Sequence, residues 1–304
     1  MKHVFIINPV AGKKDSTEYI KSILSNRKDI EYEIYNTKGL GDATRFVCEK
    51  CESNPDEFYK FYACGGDGTV NEVVNGIVKY RNAAFTVYPC GSGNDFVKAS
   101  KSYDFTDINA LIDGEMLEID LIKVNGKYSA NIVNAGFDAA TAHRMVKFKR
   151  WPLVSGKMAY NLAIVVSLLR EMKHNGKIYV DDELVFDGEF LLTAACNGIC
   201  CGGGFYFAPN ASIENGLIEH LVVKKISRLK FISYVKYIKK GTYQEQEKLQ
   251  KYLSVYKTKK ITIETEKNII YAVDGETQET KRIDIEICPK IVKFYRPKAK
   301  SLDK

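Results

Sequence analysis

No apolar run in this chain approaches the roughly 20 residues needed to cross a bilayer as a helix. The longest, Leu162 to Leu169, is broken by Ser167 and bounded by charge. A leader is missing too, since Met1-Lys2-His3 runs straight into strand-like Val4-Phe5-Ile6-Ile7, so export is not expected. Zinc-site spacing is lacking: Cys48-Glu49-Lys50-Cys51 has no second cysteine pair or histidine at ligand distance. The eight cysteines therefore read as reduced, buried thiols of a cytoplasmic protein rather than a disulfide framework. There is no internal repeat and no low-complexity segment. Gly91-Ser92-Gly93 is too short for a nucleophile elbow, and no histidine lies in a comparable loop, which argues against a serine hydrolase.

What is present is an ordinary globular composition. The 304 residues (34.4 kDa) are 45% hydrophobic and 27% charged, enough for two domains with full cores. The net charge is 45 − 38 = +7. Its densest stretches are His143-Arg144, Lys147 to Arg150, Lys224 to Lys230 and Lys236 to Lys240, interleaved with Phe148, Trp151, Phe231, Tyr234 and Tyr237. An anionic membrane surface, a nucleic acid and a plain solvated face all fit such a pattern. No recognised nucleic-acid motif accompanies it, so no nucleic-acid partner is expected.

The first third alternates strands and helices. Val4 to Ile7 reads as a strand ending in Asn8-Pro9-Val10-Ala11-Gly12. A helix over 16–25 and a strand over 30–36 lead to Thr37-Lys38-Gly39-Leu40-Gly41, with Asp42 as the expected N-cap of the next helix. Then come a strand over 58–64, the loop Gly65-Gly66-Asp67-Gly68-Thr69, a helix over 70–80 and a strand over 84–89 that runs into Gly91-Ser92-Gly93-Asn94-Asp95. This alternation implies a parallel sheet with right-handed crossovers, with ligands beyond the strands' carboxyl ends. Near residue 115 the character changes. Asn125-Gly126 is a hairpin signal, and 177–180, 184–197, 217–224, 259–265, 268–273 and 282–287 read as antiparallel strands. Helical stretches over about 153–172 and 227–253 interrupt them. The expected fold class is α/β plus β: a parallel-sheet nucleotide-binding domain over 1–124, then an antiparallel β domain with helical insertions over 125–289.

The loop at 65–69 carries the chemistry. A strand that breaks into glycines and opens a helix presents backbone N–H groups to an anion. Glycine is expected there to supply positive φ and to let the backbone approach a ligand closely. Asp67 inside such a loop would repel phosphate oxygens unless a divalent cation or a sugar lay between. The loop therefore points to a metal–nucleotide triphosphate, and the second glycine loop on the same sheet edge strengthens that reading.

Gly65-Gly66-Asp67-Gly68-Thr69-Val70-Asn71-Glu72, followed by Gly91-Ser92-Gly93-Asn94-Asp95-Phe96, resembles the catalytic domain of the soluble diacylglycerol kinase family, which includes sphingosine, ceramide and bacterial lipid kinases. Asn8-Pro9-Val10-Ala11-Gly12, Thr37 with Gly41-Asp42-Ala43, Asn134 to Asp138, Gly156 to Tyr160, Gly202 to Phe205 and Asp274-Gly275-Glu276 follow in the family's order. The resemblance implies that ATP and Mg2+ are used, and that ATP lies in the cleft between the α/β domain and a β-sandwich. It also implies that the segment 290–304 completes the first domain. The nucleotide would be lined by Asn8, Thr37, Gly65, Gly66, Asp67, Gly68, Thr69, Asn71, Glu72, Gly91, Ser92 and Asn94. Asp67 and Asp95 would hold the catalytic magnesium, Asp274 would be the general base and Glu276 would assist it. Family members often carry a structural magnesium at a turn that here reads Ser212, Asn215 and Leu217. Asparagine supplies no charge to a hard cation, and Glu214, Glu219 and Asp120 stand as substitutes. The expected activity is phosphorylation of a lipid hydroxyl, foremost that of diacylglycerol, by a cytoplasmic enzyme that visits an anionic membrane surface. Residues 147–152 are the expected lipid-facing stretch. Sphingoid base, ceramide, polyprenol or NAD as acceptor, a catalytically idle nucleotide-binding protein, and a homodimer all stay open.

Overall fold

The computed structural model describes residues 1–299 apart from 13, 99–102, 150, 152, 153 and 155. Residues 150 and 152 of the expected lipid-facing stretch, residues 153 and 155 of the helix expected over 153–172, and the end of the segment 290–304 lie outside the described residues. The chain divides into two compact units, Met1–Leu121 with Pro289–Lys304, and Ile122–Cys288.

The first unit holds β1 (Lys2–Ile7), α1 (Thr17–Leu24), β2 (Tyr32–Asn36), α2 (Asp42–Ser53), β3 (Tyr59–Gly65), α3 (Asp67–Ile77), β4 (Ala83–Pro89), the short α4 (Asp95–Lys98) and α5 (Ile108–Ile112), and most of β5 (Glu115–Val124). Strands β2, β1, β3 and β4 run side by side in that order, all parallel. Ile7 pairs with Asn36 and Cys64, and Cys64 with Tyr88, so the four carboxyl ends share one edge. All seven residues of β3 are buried, as a central parallel strand covered on both faces requires.

Two expectations shift at helix starts. Asp42 is not the N-cap of α2 but its first helical residue; Gly41, at φ 80°, takes the cap position. The Asp42 carboxylate instead accepts from Lys38 N–H at 2.8 Å and the Tyr35 hydroxyl at 2.9 Å. Helix α3 begins at Asp67 rather than at Val70, so the apparent five-residue loop is the end of a strand, one extended glycine and a first helical turn.

The second unit holds β6 (Lys127–Ser129), β7 (Ile132–Gly136), α6 (Phe137–Phe148), α7 (Gly156–Arg170), β8 (His174–Val180), β9 (Glu183–Cys196), β10 (Ile218–Lys224), α8 (Arg228–Lys240), a 3-10 turn (Tyr243–Glu245), α9 (Glu247–Gln250), β11 (Leu253–Thr258), β12 (Lys260–Val273) and most of β13 (Glu276–Arg296). The end of β13 belongs to the first unit, where Lys293 and Phe294 pair in parallel with Ala84 and Phe85 of β4. The pairings among β7, β8, β9 and β12 are antiparallel, β9 and β12 each meeting both β7 and β8. This wraps the strands around one apolar core that includes Ile178, Phe190, Ile261, Tyr271 and Ile283. A second cluster under α8 packs Phe137, Leu192, Phe231, Ile238 and Tyr243 together.

The Asn125-Gly126 hairpin forms as expected, with φ of 45° and 84° between Val124 and Lys127. The strands expected over 259–265 and 268–273 are one strand, β12, with a register shift between Glu264 and Ile269. The helix expected over 227–253 ends at Lys240, because Gly241 adopts the left-handed conformation at φ 70°. The strand β11 follows where that helix was expected to finish.

Candidate active site

The parallel sheet delivers four chain segments to one edge. Asn8 follows β1; its side-chain amide donates to Thr69 Oγ1 at 3.4 Å and its Oδ1 accepts from Val10 N–H at 3.2 Å. Thr37 follows β2 and its N–H donates to Ile7 O at 2.8 Å. Gly66 is extended at φ −98° and caps α3. Cys90 follows β4, its N–H donating to Gly65 O at 2.9 Å. The glycine segments therefore pack on each other.

Close approach explains Gly65, Gly91 and Gly93, and positive φ does not. Neither Gly65, Gly66, Gly68, Gly91 nor Gly93 adopts a positive φ; the left-handed residue here is Asn94, at 54°. A Cβ on Gly91 would lie 2.5 Å from the Gly66 Cα, and one on Gly65 would lie 2.2 Å from Thr69 Oγ1. Gly12, at φ 77°, lies so close to Cys90 that a Cβ would meet its carbonyl oxygen at 2.1 Å. Three segments are thus locked at backbone contact, which no residue with a side chain permits.

Asp67 ties the two glycine segments together. Its Oδ1 accepts from Asp95 N–H at 2.7 Å and from Phe96 N–H at 3.4 Å. Its Oδ2 faces Gly93, where a Cβ would come within 2.5 Å of it and within 3.8 Å of Asp95 Oδ2. Asp95 is itself buried, with Lys98 Nζ at 3.4 Å. Two carboxylates turned toward the same glycine repel each other unless a cation lies between them. A pair of carboxylates with the rest of the shell supplied by phosphate oxygens and water is what Mg2+ takes in phosphoryl-transfer sites, so the residues present fit that ion. Among the described residues, no group of three or more His, Cys, Asp or Glu is placed to hold a metal without such help.

Other expected ligands have structural partners. Glu72 accepts from Gly41 N–H and Ala43 N–H, at 3.0 Å through each oxygen. It supplies the start of α2 with the cap that Gly41 has no side chain to provide, and so positions the 37–42 segment. Asn94 closes on Gly91, accepting from its N–H at 3.0 Å and donating to its carbonyl at 2.7 Å. The Asn71 backbone and side-chain oxygens accept from the Asn75 amide. Gly68 and Thr69 form the first turn of α3, and Ser92 is exposed at the tip of its loop.

Asp274 and Glu276 belong to the second unit, at the two-residue turn from β12 to β13. Asp274 and Gly275 take φ of 48° and 93°, the mirror-image turn that suits strand twist. The Asp274 carboxylate is cradled: Oδ1 accepts from the Ser129 hydroxyl at 2.6 Å, Ile132 N–H at 3.0 Å and Asn131 N–H at 3.2 Å, and Oδ2 from Ala130 N–H at 3.0 Å. Glu276 is exposed. Ser129 and the 130–132 backbone are partners that no motif announced; only the fold brings them within reach of residue 274.

The Ser212–Leu217 turn does not fit a structural magnesium. Asn215 Oδ1 accepts from Leu217 N–H at 3.0 Å, and Ser212 Oγ accepts from Glu214 N–H at 3.3 Å. Both side chains close the turn. Glu219 is buried, with Oε1 accepting from Gln244 and Oε2 unpartnered, and burial pushes its carboxyl pKa up. Asp120 lies in the first unit, where its Oδ1 accepts from Lys290 N–H at 2.9 Å.

Known proteins resemble this chain over most of its length. The diacylglycerol kinase catalytic domain family matches residues 2–124, and the family described as the YegS C-terminal NAD kinase beta sandwich-like domain matches 131–296. A diacylglycerol kinase of Bacillus subtilis is 30% identical over 239 residues, covering 76% of this chain and 77% of its own. That of Staphylococcus saprophyticus is 27% identical over 276 residues, covering 89% and 87%. A diacylglycerol kinase structure from Bacillus anthracis superposes with a TM-score of 0.72 at 22% identity, covering 97% of this chain and 96% of that one. An NAD kinase from Archaeoglobus fulgidus in complex with ATP superposes with a TM-score of 0.53 at 13% identity, covering 98% and 94%. The two structures share the fold.

Proposed function

Because the chain belongs to the diacylglycerol kinase catalytic-domain family and is a lipid kinase, we propose that it transfers the γ-phosphoryl group of ATP to the free hydroxyl of diacylglycerol, giving phosphatidic acid. The observation that carries this reading is Asp67, which fastens both glycine segments while turning its second oxygen, beside Asp95, toward Gly93.

Thr37, the Gly65–Asn71 segment and Ser92 line the nucleotide. Asp67 and Asp95 would hold Mg2+, which when bound would supply positive charge to offset that of the phosphates. The acceptor oxygen bonds to the γ-phosphorus as the bridging bond to the β-phosphate breaks. Such transfer is mostly positioning and electrostatics, with the hydroxyl proton accepted late. Asp274 takes that proton, a role contributing roughly 10²–10⁴-fold, and Glu276 would hold the metal or orient that base. The Asp274 oxygens accept from Ser129, Ala130, Asn131 and Ile132, which fixes the carboxylate's position for that role.

The test is purified protein with radiolabelled ATP, magnesium and a panel of diacylglycerol, sphingosine, ceramide, polyprenol and NAD. Label is expected in diacylglycerol. Label in NAD and in no lipid sinks the proposal, and label in another lipid alone replaces the substrate.

A further inference from the structure

Three helices of the second unit present the wrong residues to water. On α7 the exposed stripe is Met158, Asn161, Val165 and Leu169. These positions recur at helical spacing along one face, and the face that should be charged is apolar. Leu229 is 82% exposed and Ile232 56% exposed on α8, against 65% for Leu169. Of the large hydrophobic residues exposed among the described residues of this unit, only Leu184 and Val255 lie away from α6, α7, α8 and Trp151.

The helices are braced rather than loose. Arg144 of α6 donates to Ser167 Oγ at 3.1 Å and pairs with Glu171, fastening α6 to the end of α7. Arg228 donates to the carbonyls of Leu168 at 2.6 Å and Leu169 at 3.2 Å. Those bonds cap the end of α7 and tie the start of α8 to it. At the end of α6, Trp151 is 56% exposed and meets Phe148 edge-on at 5.0 Å.

Charge selects the occupant. Neither α7 nor α8 contains an aspartate or glutamate, while Arg170, Lys230, Lys236, Lys239 and Lys240 lie on them, and Lys147 and Lys149 are exposed beside Trp151. An apolar strip on two helices that contain cations and no acids matches the boundary of an anionic bilayer. Apolar side chains enter the acyl region and lysines meet the headgroups, each contributing a fewfold in affinity. A protein partner would more often ask for hydrogen-bonding groups at the rim and a mixture of charges.

We propose that α7 and the amino-terminal half of α8, with Trp151, form a docking surface for an anionic phospholipid bilayer. The choice of a lipid partner rests on the lipid-kinase reading; the surface itself does not. Binding holds the enzyme on the membrane that contains its acceptor.

Trp151 is the one tryptophan of the chain, so wild-type fluorescence reports this surface alone. Without ATP, phosphatidylglycerol vesicles are expected to shift its emission to the blue, and lipids brominated on the acyl chain to quench it. Phosphatidylcholine vesicles should do neither, and the response should weaken as salt rises past about 0.15 M. In vesicle sedimentation, Leu169→Glu with Leu229→Glu should abolish binding, and Lys236→Glu should weaken it at least about fivefold. Short-chain, water-soluble diacylglycerol should still be phosphorylated by all three forms. No spectral change and no sedimentation with anionic vesicles overturns the surface, whatever the kinase assay gives. A concentration-dependent dimer that Leu169→Glu dissolves, without vesicle binding, assigns the face to a second copy and likewise overturns it. Vesicle binding with no phosphorylated lipid leaves the surface standing and removes the proposed reaction.

Discussion

Gly93 is the residue whose replacement tests the carboxylate pair most cleanly. A Cβ there would sit 2.5 Å from Asp67 Oδ2, so Gly93→Ala must push the carboxylate aside without touching the sheet. A displacement of about 1 Å at a phosphoryl-transfer site lowers turnover roughly 100-fold. Turnover within threefold of wild type for Gly93→Ala in the lipid assay would separate Asp67 from the chemistry. Asp274→Asn probes the other unit less simply. An amide can replace Oδ1 as an acceptor, but its NH2 then faces the Ala130 N–H that Oδ2 now accepts, and a buried donor left unpaired costs about 1–3 kcal/mol. The variant is therefore expected to melt a few degrees lower and to turn over at least about 100-fold more slowly. The lower melt with turnover within threefold would leave Asp274 as an anchor of the 129–132 segment. Asp67 was visible because an acid in a glycine turn is chemically awkward and calls for a reason, whereas Asp95 and Asp274 stood out only through the resemblance. The sequence concealed the commitments of Glu72 and Ser129, whose partners lie 31 and 145 residues away.

Elements were legible where local chemistry and tertiary demand agree. Strands β1, β3 and β4 are apolar runs ending in glycine or proline, and the Asn125-Gly126 and Asp274-Gly275 turns name their own type. Strand β11 was not legible, since Leu253–Thr258 is half polar and follows a helical run that Gly241 alone ends. Nor was Lys60, a charged residue inside a strand buried at every position. It reaches the end of α5, donating to Leu111 O at 2.7 Å and Ile112 O at 3.0 Å, with the Tyr295 ring of β13 at 3.8 Å. Burial pushes its pKa down to about 7, although the ring and carbonyls favour the ammonium form. Between about pH 7 and 10.5 the unfolded chain holds a proton that the folded chain has released, so this group's contribution to stability rises with pH. The slope reaches at most about 1.4 kcal/mol per pH unit. Buried thiols such as Cys51 and Cys64, whose pKa values burial raises, act oppositely above about pH 8.5. Denaturation of wild type and Lys60→Met from pH 6 to 8.5 isolates the lysine, because the thiols cancel in the difference. A wild-type advantage that grows with pH is expected, and a flat difference would mean that Lys60 stays charged within the fold.

At the scale of the whole molecule, the proposals assign different ligands to different stretches of chain, and hydrogen exchange can see both at once. Loops at the ends of β1, β2, β3 and β4 have backbone N–H groups at the surface of the sheet edge, and a nucleotide held there must slow their exchange. Magnesium–ATP is expected to protect 8–12, 37–42, 65–71 and 91–95, all in the first unit, and to raise the melting temperature. At about 100 times the dissociation constant the gain is about 2.7 kcal/mol. Chelating the metal should remove most of the protection, because Asp67 and Asp95 would then face the phosphates without a cation. Anionic vesicles should protect a separate set, 158–169 and 229–236, in the second unit. Nucleotide protection that spares 65–71 and 91–95 would remove the glycine segments as the ATP site, even if a lipid were phosphorylated. Protection of those segments that persists in chelator would instead strip Asp67 and Asp95 of the metal, leaving their charges to be balanced by Lys98, whose ammonium is 3.4 Å from Asp95.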